Sequence, residues 1–436
     1  MPLLIAVPRP NLQGFRNELF RIAGFDWESR REIFLFPLDG KCKRQVIPPG
    51  LVEFCQNHQI DEIWVPDRVH CGEPLLRKAE YTVTPVATIA TLLQGGGIDA
   101  LKRRLRSRGL DWRNRVLSRL SGWLHGTVTE QHLDLWLSQF DDLGDYRFVG
   151  EQLAQMLDMV SGPELSNALF SGAEMYGDRL IIGLSAEGGS SGEFIGQLAK
   201  HRCGLAQRLS VEAAIIAAKP PKVLWLVEDC LLSGIEVRDM MDRLRGDASA
   251  SESGNAAPGK LTRVPTEMRF GVVCDFGMNM VQHYMAAHSL PNFQVSVGNA
   301  VRKILVLAKE SVPSPDDATI AAEIVDLLRS RVTPFAFQEG RGWKDSGTLS
   351  QAVAFCQSVG EQLWRSRLER LQKKWPDEIV RRCALGGKES LGLTIAFPYS
   401  VPKGTLPLFW IGGRVNLNGA TIQWQPLIPA ADDSEP

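Results

Sequence analysis

Five apolar residues run without a polar break over 223–227 (VLWLV). That is the pattern of a strand buried on both faces of a parallel sheet. Glu228 and Asp229 follow and are predicted to end the strand. After Ser233–Gly234, the residues Val237, Met240, Met241 and Leu244 stand at helical spacing and predict a helix. The largely apolar stretches 180–184, 269–274 and 301–307 predict three more strands, with helices over 194–203, 320–328 and 349–363. Nearer the N-terminus, strands are predicted at 3–7, 32–36, 62–65 and 81–86, with a helix over 49–58. Residues 128–140 place Leu133, Trp136, Leu137 and Phe140 on one helical face behind Thr129 as N-cap, and 146–160 predicts a second amphipathic helix. Past a strand-like 393–397, Pro398, Pro402, Pro407, Pro426 and Pro429 punctuate an aromatic segment with Phe409, Trp410 and Trp424. These aromatics either form a hood offering faces to a nucleobase or pack into the core.

Strands alternating with helices predict an α/β fold: a mostly parallel sheet with helices on both faces, preceded by a small α/β domain and a basic helical linker. The expected boundaries are 1–95 for the small domain, 96–126 for the linker, 127–429 for the main domain with its C-terminal hood, and 430–436 for a disordered tail. The polar, low-complexity stretch 246–260 is expected to be an excursion within the main domain.

Composition narrows the classes. Lys plus Arg (49) nearly cancel Asp plus Glu (50), so overall charge points to no polyanionic partner. The basic residues nevertheless cluster at Lys102, Arg103, Arg104, Arg106, Arg108, Arg113, Arg115 and Arg119, against the single acid Asp111. This segment reads as a helix pair docking nucleic acid through phosphates, or, preferred, as a linker with a solvated basic face. Eight cysteines without a C-x-x-C pair suit a reducing compartment and argue against a disulfide framework or a zinc site. His58, His70 and Cys71 match no metal spacing. With no signal-like opening and no bilayer-length apolar run, the expectation is a cytoplasmic protein with no membrane partner.

In open α/β sheets, ligands gather at the carboxyl ends of strands. There, backbone N–H groups over Leu232, Ser233, Gly234, Ile235 and Glu236 would open the next helix and receive a phosphate. Glu228 and Asp229 would accept hydrogen bonds from sugar hydroxyls or hold Mg²⁺. The plainer alternative is a buried strand whose acids cap the helix. Upstream, Ala186, Glu187, Gly188, Gly189, Ser190, Ser191 and Gly192 form a glycine- and serine-rich loop between a predicted strand and helix, again suited to an anion. Asp275, closing the strand at 269–274, is a further candidate.

Apolar strand, two acids, two apolar residues and a small-residue loop resemble the signature of type I phosphoribosyltransferases, which binds phosphoribosyl pyrophosphate. Two residues depart from it: Leu232 lacks a hydroxyl, and Glu236 stands where Ser or Thr is usual. In a dry site Glu236 would repel a phosphate by roughly 4 kcal/mol at an effective dielectric of 20. The run Glu228-Asp229-Cys230-Leu231-x-Ser233-Gly234-x-Glu236 is closer to the phosphoribosyltransferase-like conflict-effector family, as are the phrases 136–141 and 405–410. The resemblance implies Glu228 and Asp229 as catalytic residues, Asp229 on a substrate-bound Mg²⁺, 232–236 on the 5-phosphate and 186–192 on the pyrophosphate. It implies phosphoribosyl transfer or N-glycosidic cleavage on a nucleotide or phosphoribosyl pyrophosphate-like molecule, in a bacterial anti-phage system with a protein partner. The alternative it leaves open is an inactive nucleotide-sensing or scaffold subunit whose basic linker contacts nucleic acid or a partner. No Walker A motif is present.

Overall fold

The structure, a computed structural model, describes residues 2–24, 32–38, 47–60, 62–66, 73–86, 105, 111–171, 179–183, 191–203, 223–245, 265–308 and 324–428. The chain divides into two compact units, Met1–Arg119 and Leu120–Pro436.

The first unit holds β1 (Leu3–Pro8), α1 (Leu12–Ala23), β2 (Ile33–Leu38), α2 (Leu51–Asn57), β3 (Glu62–Pro66), α3 (Glu73–Lys78) and β4 (Thr82–Val86). Its four described strands are all parallel, in the order β2-β1-β3-β4. Central β1 is buried on both faces. Leu3, Ile5 and Val7 meet Phe15, Leu19 and Ile22 of α1, while Leu4 and Ala6 share the other core with Leu51, Cys55, Leu76 and Val83. Period 2 along the strand thus feeds two helical layers. The helix α4 (Trp112–Leu120) closes this part of the chain. Arg113 lies over the Trp112 ring, Arg115 pairs with Glu32 at 3.1 Å, and Arg119 donates to Arg115 O. These three members of the basic cluster thus have intramolecular partners. Lys102, Arg103, Arg104, Arg106 and Arg108 lie outside the described residues.

The second unit opens with α5 (Glu130–Asp142), α6 (Arg147–Met156), β5 (Asp158–Met159) and α7 (Gly162–Phe170). Thr129 caps α5 in a capping box with His132, and Ser161 and Glu164 do the same for α7. The central sheet follows: β6 (Arg179–Gly183), α8 (Ser191–Cys203), β7 (Val223–Leu231), α9 (Ile235–Arg245), β8 (Thr266–Cys274), α10 (Asp275–Ala287), β9 (Phe293–Ser296) and β10 (Arg302–Ile304). All its pairs are parallel; β7 and β8 are central, and β9 and β10 line successive halves of one edge of β8. Helices α7 and α8 cover one face through Leu165, Leu169 and Ile195, and α9 and α10 cover the other through Val237, Met240, Met241 and Val281. This is the expected mostly parallel α/β sheet with helices on both faces.

Then come α11 (Ile324–Arg329), α12 (Ser346–Arg370), α13 (Asp377–Cys383), β11 (Ile395–Ala396), β12 (Gly413–Leu417) and β13 (Ala420–Trp424). β11 pairs with β5, and the β12–β13 hairpin turns at Asn418 and Gly419, both with positive φ. The aromatic tail packs into the core. Phe409 stacks on Trp136 at 5.5 Å and Trp424 meets Phe140 edge-on at 5.1 Å, both fully buried. Trp410 is 7% exposed. None of the three presents a face to a nucleobase. Among the described residues, no helix is long and apolar enough to cross a membrane.

Candidate functional site

Strand β7 does not stop at the acids. It continues through them to Leu231, with Glu228 opposite Phe270 and Cys230 opposite Val272 on β8. Up to that point the side chains alternate as a pleat requires: Leu224 and Leu226 join Met268 and Phe270 on the α9–α10 face, while Trp225 and Val227 face α7 and α8. Beyond Asp229 and Gly271 the alternation inverts on both strands, so that Leu231 and Val273 return to the α9–α10 face while Cys230 and Val272 turn to the other. Gly271 is required at this step. A Cβ there would meet Leu165 Cδ1 at 2.2 Å and Asp229 O at 3.0 Å.

The acids are therefore buried, Glu228 to 2% and Asp229 to 6% exposure. Glu228 Oε1 accepts the Asp229 backbone N–H at 3.2 Å. Asp229 Oδ2 accepts the Tyr399 hydroxyl at 2.9 Å, and the Cys230 thiol is a second hydrogen-bond partner of the carboxyl. Burial raises the Asp229 pKa from 3.8 to about 6, against these hydrogen bonds and with a further upward push from the charge of Glu236. Burial, followed by the charge of Asp229, pushes the Cys230 thiol and the Tyr399 hydroxyl up, so both remain protonated donors.

The turn is built by close backbone approach. Gly234 has φ +76°, and a Cβ there would lie 2.9 Å from Gly277 O; a Cβ on Gly277 would lie 2.5 Å from Leu232 O. Two glycines let the turn 232–234 seat directly on the start of α10. Arg238 N donates to Gly234 O, and Ser233 Oγ accepts from Ile235 N at 3.4 Å. The first-turn N–H groups of α9 thus lie one turn beyond the acids, as the strand-turn-helix pattern requires. Leu232 turns its side chain away from that position, with Cδ1 3.3 Å from the Cβ position of Gly404 and the side chain packed against the core under the sheet. Its missing hydroxyl is therefore a packing choice. Glu236 is exposed, so its repulsion of a phosphate falls toward the ~1 kcal/mol of a water-screened pair at 4 Å.

Of the pyrophosphate-loop candidates, Ala186, Glu187, Gly188, Gly189 and Ser190 lie outside the described residues, while Ser191 and Gly192 begin α8. Asp275 does not join the site. Its two carboxylate oxygens accept Val306 N at 2.9 Å and Leu307 N at 3.0 Å, tying α10 to the segment after β10. Two aromatic residues do join it. Tyr399 bonds Asp229, and Phe194 of α8 lies against the Tyr399 ring at 4.2 Å. Neither carries a local sequence signal; Tyr399 is 170 residues from Asp229. Among the described residues, no three His, Cys, Asp or Glu side chains gather into a metal-ligating group.

A buried acidic pair, a glycine-shaped turn and a helix start in immediate succession suit a ligand that combines hydroxyls with an anion. No curated protein and no solved structure matches the chain. The family model PRTase-CE matches residues 133–429, which contain the whole of this arrangement. The chain belongs to the PRTase-CE family, the phosphoribosyltransferase-like effectors.

Proposed function

We propose that the second unit binds the ribose phosphate of a nucleotide or of phosphoribosyl pyrophosphate and breaks its bond at C1. The observation that carries this reading is the buried Glu228–Asp229 pair in the second half of a central parallel strand, one turn before the start of α9. Asp229, and with it Glu228, would accept the 2- and 3-hydroxyls of the ribose. The N–H groups at the start of α9 would take the 5-phosphate. As the C1 bond breaks, its electron pair leaves with pyrophosphate or the base. The carboxylates stabilise the oxocarbenium-like charge that develops, and an acceptor nitrogen or water closes on C1, releasing its proton to solvent.

Asp229 would also be the protein's ligand to Mg²⁺. A single carboxylate fits a cation that keeps most of its waters and takes its other ligands from substrate phosphates, and does not fit an all-protein cage. When bound, the ion would neutralise the phosphate charge. Family membership and this chemistry support a role as an effector in bacterial anti-phage defence, acting with a partner of that system.

The panel that tests this reading is thermal stabilisation by phosphoribosyl pyrophosphate, ribose 5-phosphate, NAD, ATP and dATP, each with and without Mg²⁺, followed by assay of released pyrophosphate or base. ATP stabilising more than dATP supports diol recognition by the acids; equal effects contradict it. The burial of both acids and the core packing of Leu232 also favour a second reading, a sensor or scaffold that binds the nucleotide without turnover. Stabilisation without any released product supports that reading. Salt-sensitive nucleic-acid binding, lost when the arginines of 102–119 are replaced, would give it a partner.

A further inference from the structure

A carboxylate that is 6% exposed cannot meet a ribose until something moves, and the group lying on Asp229 is Tyr399. Its hydroxyl donates to Oδ2 at 2.9 Å, the same bond that a sugar hydroxyl would make to the same oxygen. Its ring is engaged by two others, Phe194 at 4.2 Å with 30° between planes and Phe397 at 5.8 Å with 16°. Its backbone is fixed from the start of the second unit, where Leu124 N donates to Pro398 O and His125 Nε2 to Tyr399 O, each at 2.8 Å. Phe194 sits in the first turn of α8, two residues beyond Gly192, where the glycine- and serine-rich stretch runs into helix.

We infer that Tyr399 is a latch on the ligand site: a ligand hydroxyl replaces the phenol at Asp229 Oδ2, the ring leaves Phe194, and the start of α8 is released. The inference rests on the reading of Asp229 as the ribose-binding acid. The latch makes binding at the acids and movement at the glycine- and serine-rich end of α8 a single event. It also sets specificity, because a ligand opens it only by supplying a hydroxyl in place of the phenol. Tyr399 acts through Asp229 and Phe194, so its role is positioning.

Tyr399→Phe tests this, since it removes the hydroxyl and keeps the ring. The first measurement is backbone hydrogen exchange in the ligand-free full chain. The latch predicts exchange about tenfold faster at 194–199 in Tyr399→Phe, the scale of one hydrogen bond to a buried charged group, with α12 (346–370) unchanged as the control for global folding. Unchanged exchange at 194–199 overturns the latch, as does acceleration that is equal in α12. The second measurement is titration of ribose 5-phosphate with Mg²⁺. Tighter binding by Tyr399→Phe than by wild type supports displacement, and equal or weaker binding overturns it. Should neither protein bind ribose 5-phosphate, phosphoribosyl pyrophosphate or ATP, the ribose reading of Asp229 fails, and the exchange measurement alone decides whether Tyr399 holds α8.

Discussion

Replacing Asp229 by asparagine removes a charge that the fold works to exclude, so the variant is expected to be more stable than wild type above neutral pH. In the unfolded chain Asp229 loses its proton near 3.8, and in the folded chain near 6. Between these values the folded state binds more protons than the unfolded one, so stability falls as pH rises. The loss is complete above about pH 6 and amounts to roughly 3 kcal/mol at about 1.4 kcal/mol for each pH unit. Asparagine keeps an oxygen for the Tyr399 hydroxyl and the Cys230 thiol while deleting that loss. The charged and titratable neighbours facing the site, Glu228, Cys230, Glu236 and Tyr399, are unchanged. Chemical denaturation of ligand-free protein at pH 4 and pH 7.5 decides the matter. The two proteins should agree at pH 4, and Asp229→Asn should exceed wild type by up to about 3 kcal/mol at pH 7.5. A variant less stable than wild type at pH 7.5, or one keeping the wild-type pH dependence between 4 and 6, would refute the reasoning. A buried acid retained at such a cost is what a functional site leaves behind.

Gly277→Ala forces a Cβ to 2.5 Å from the Leu232 carbonyl oxygen and 3.2 Å from Gly234 N, both backbone atoms of the turn; it should cost about 2 kcal/mol or more in denaturation and weaken ligand binding by displacing the turn. Gly298→Ala, with nothing within 4 Å of its Cβ, should stay within about 0.5 kcal/mol of wild type in the same measurement. Trp136→Ala empties a site stacked on Phe409 and bonded to Leu408 O, and should cost about 3–5 kcal/mol by denaturation or leave the chain unfolded by circular dichroism. Thr129→Ala removes one capping bond at the start of α5 and should cost about 1 kcal/mol.

Much of the frame around the site was legible in order along the chain. The unbroken 223–227 run predicted a doubly buried strand, Val237, Met240 and Met241 predicted the inner face of α9, and Thr129 predicted a cap. Each depends on local spacing, which a single sequence displays. Glu228 and Asp229 were misread as strand terminators because polar residues normally end a buried run; here the ladder with β8 carries on through them. Nothing local announces the inverted alternation at Asp229 and Gly271, since it is a property of two strands together. The same holds for Tyr399, whose bond to Asp229 spans 170 residues. Other elements had visible signals. Phe15, Leu19 and Ile22 mark α1 at helical spacing, Ser161 and Glu164 frame the start of α7, and Asn418–Gly419 is a strong hairpin turn. Phe409 and Trp424 show the limit of composition. Their aromatic character did not distinguish a nucleobase hood from a core, and their contacts with Trp136 and Phe140 did.

The central claim is that Asp229 and the turn after it hold a ribose phosphate. Its most direct test is thermal denaturation with phosphoribosyl pyrophosphate, with and without Mg²⁺, on wild type and Asp229→Asn. At a hundredfold excess over Kd the ligand adds about 2.7 kcal/mol, a rise of roughly 4 °C for a unit of this size. The account predicts that rise in wild type, its dependence on Mg²⁺ and its loss in Asp229→Asn. An equal rise in the variant, or none in wild type with this or any other ribose phosphate, would contradict it.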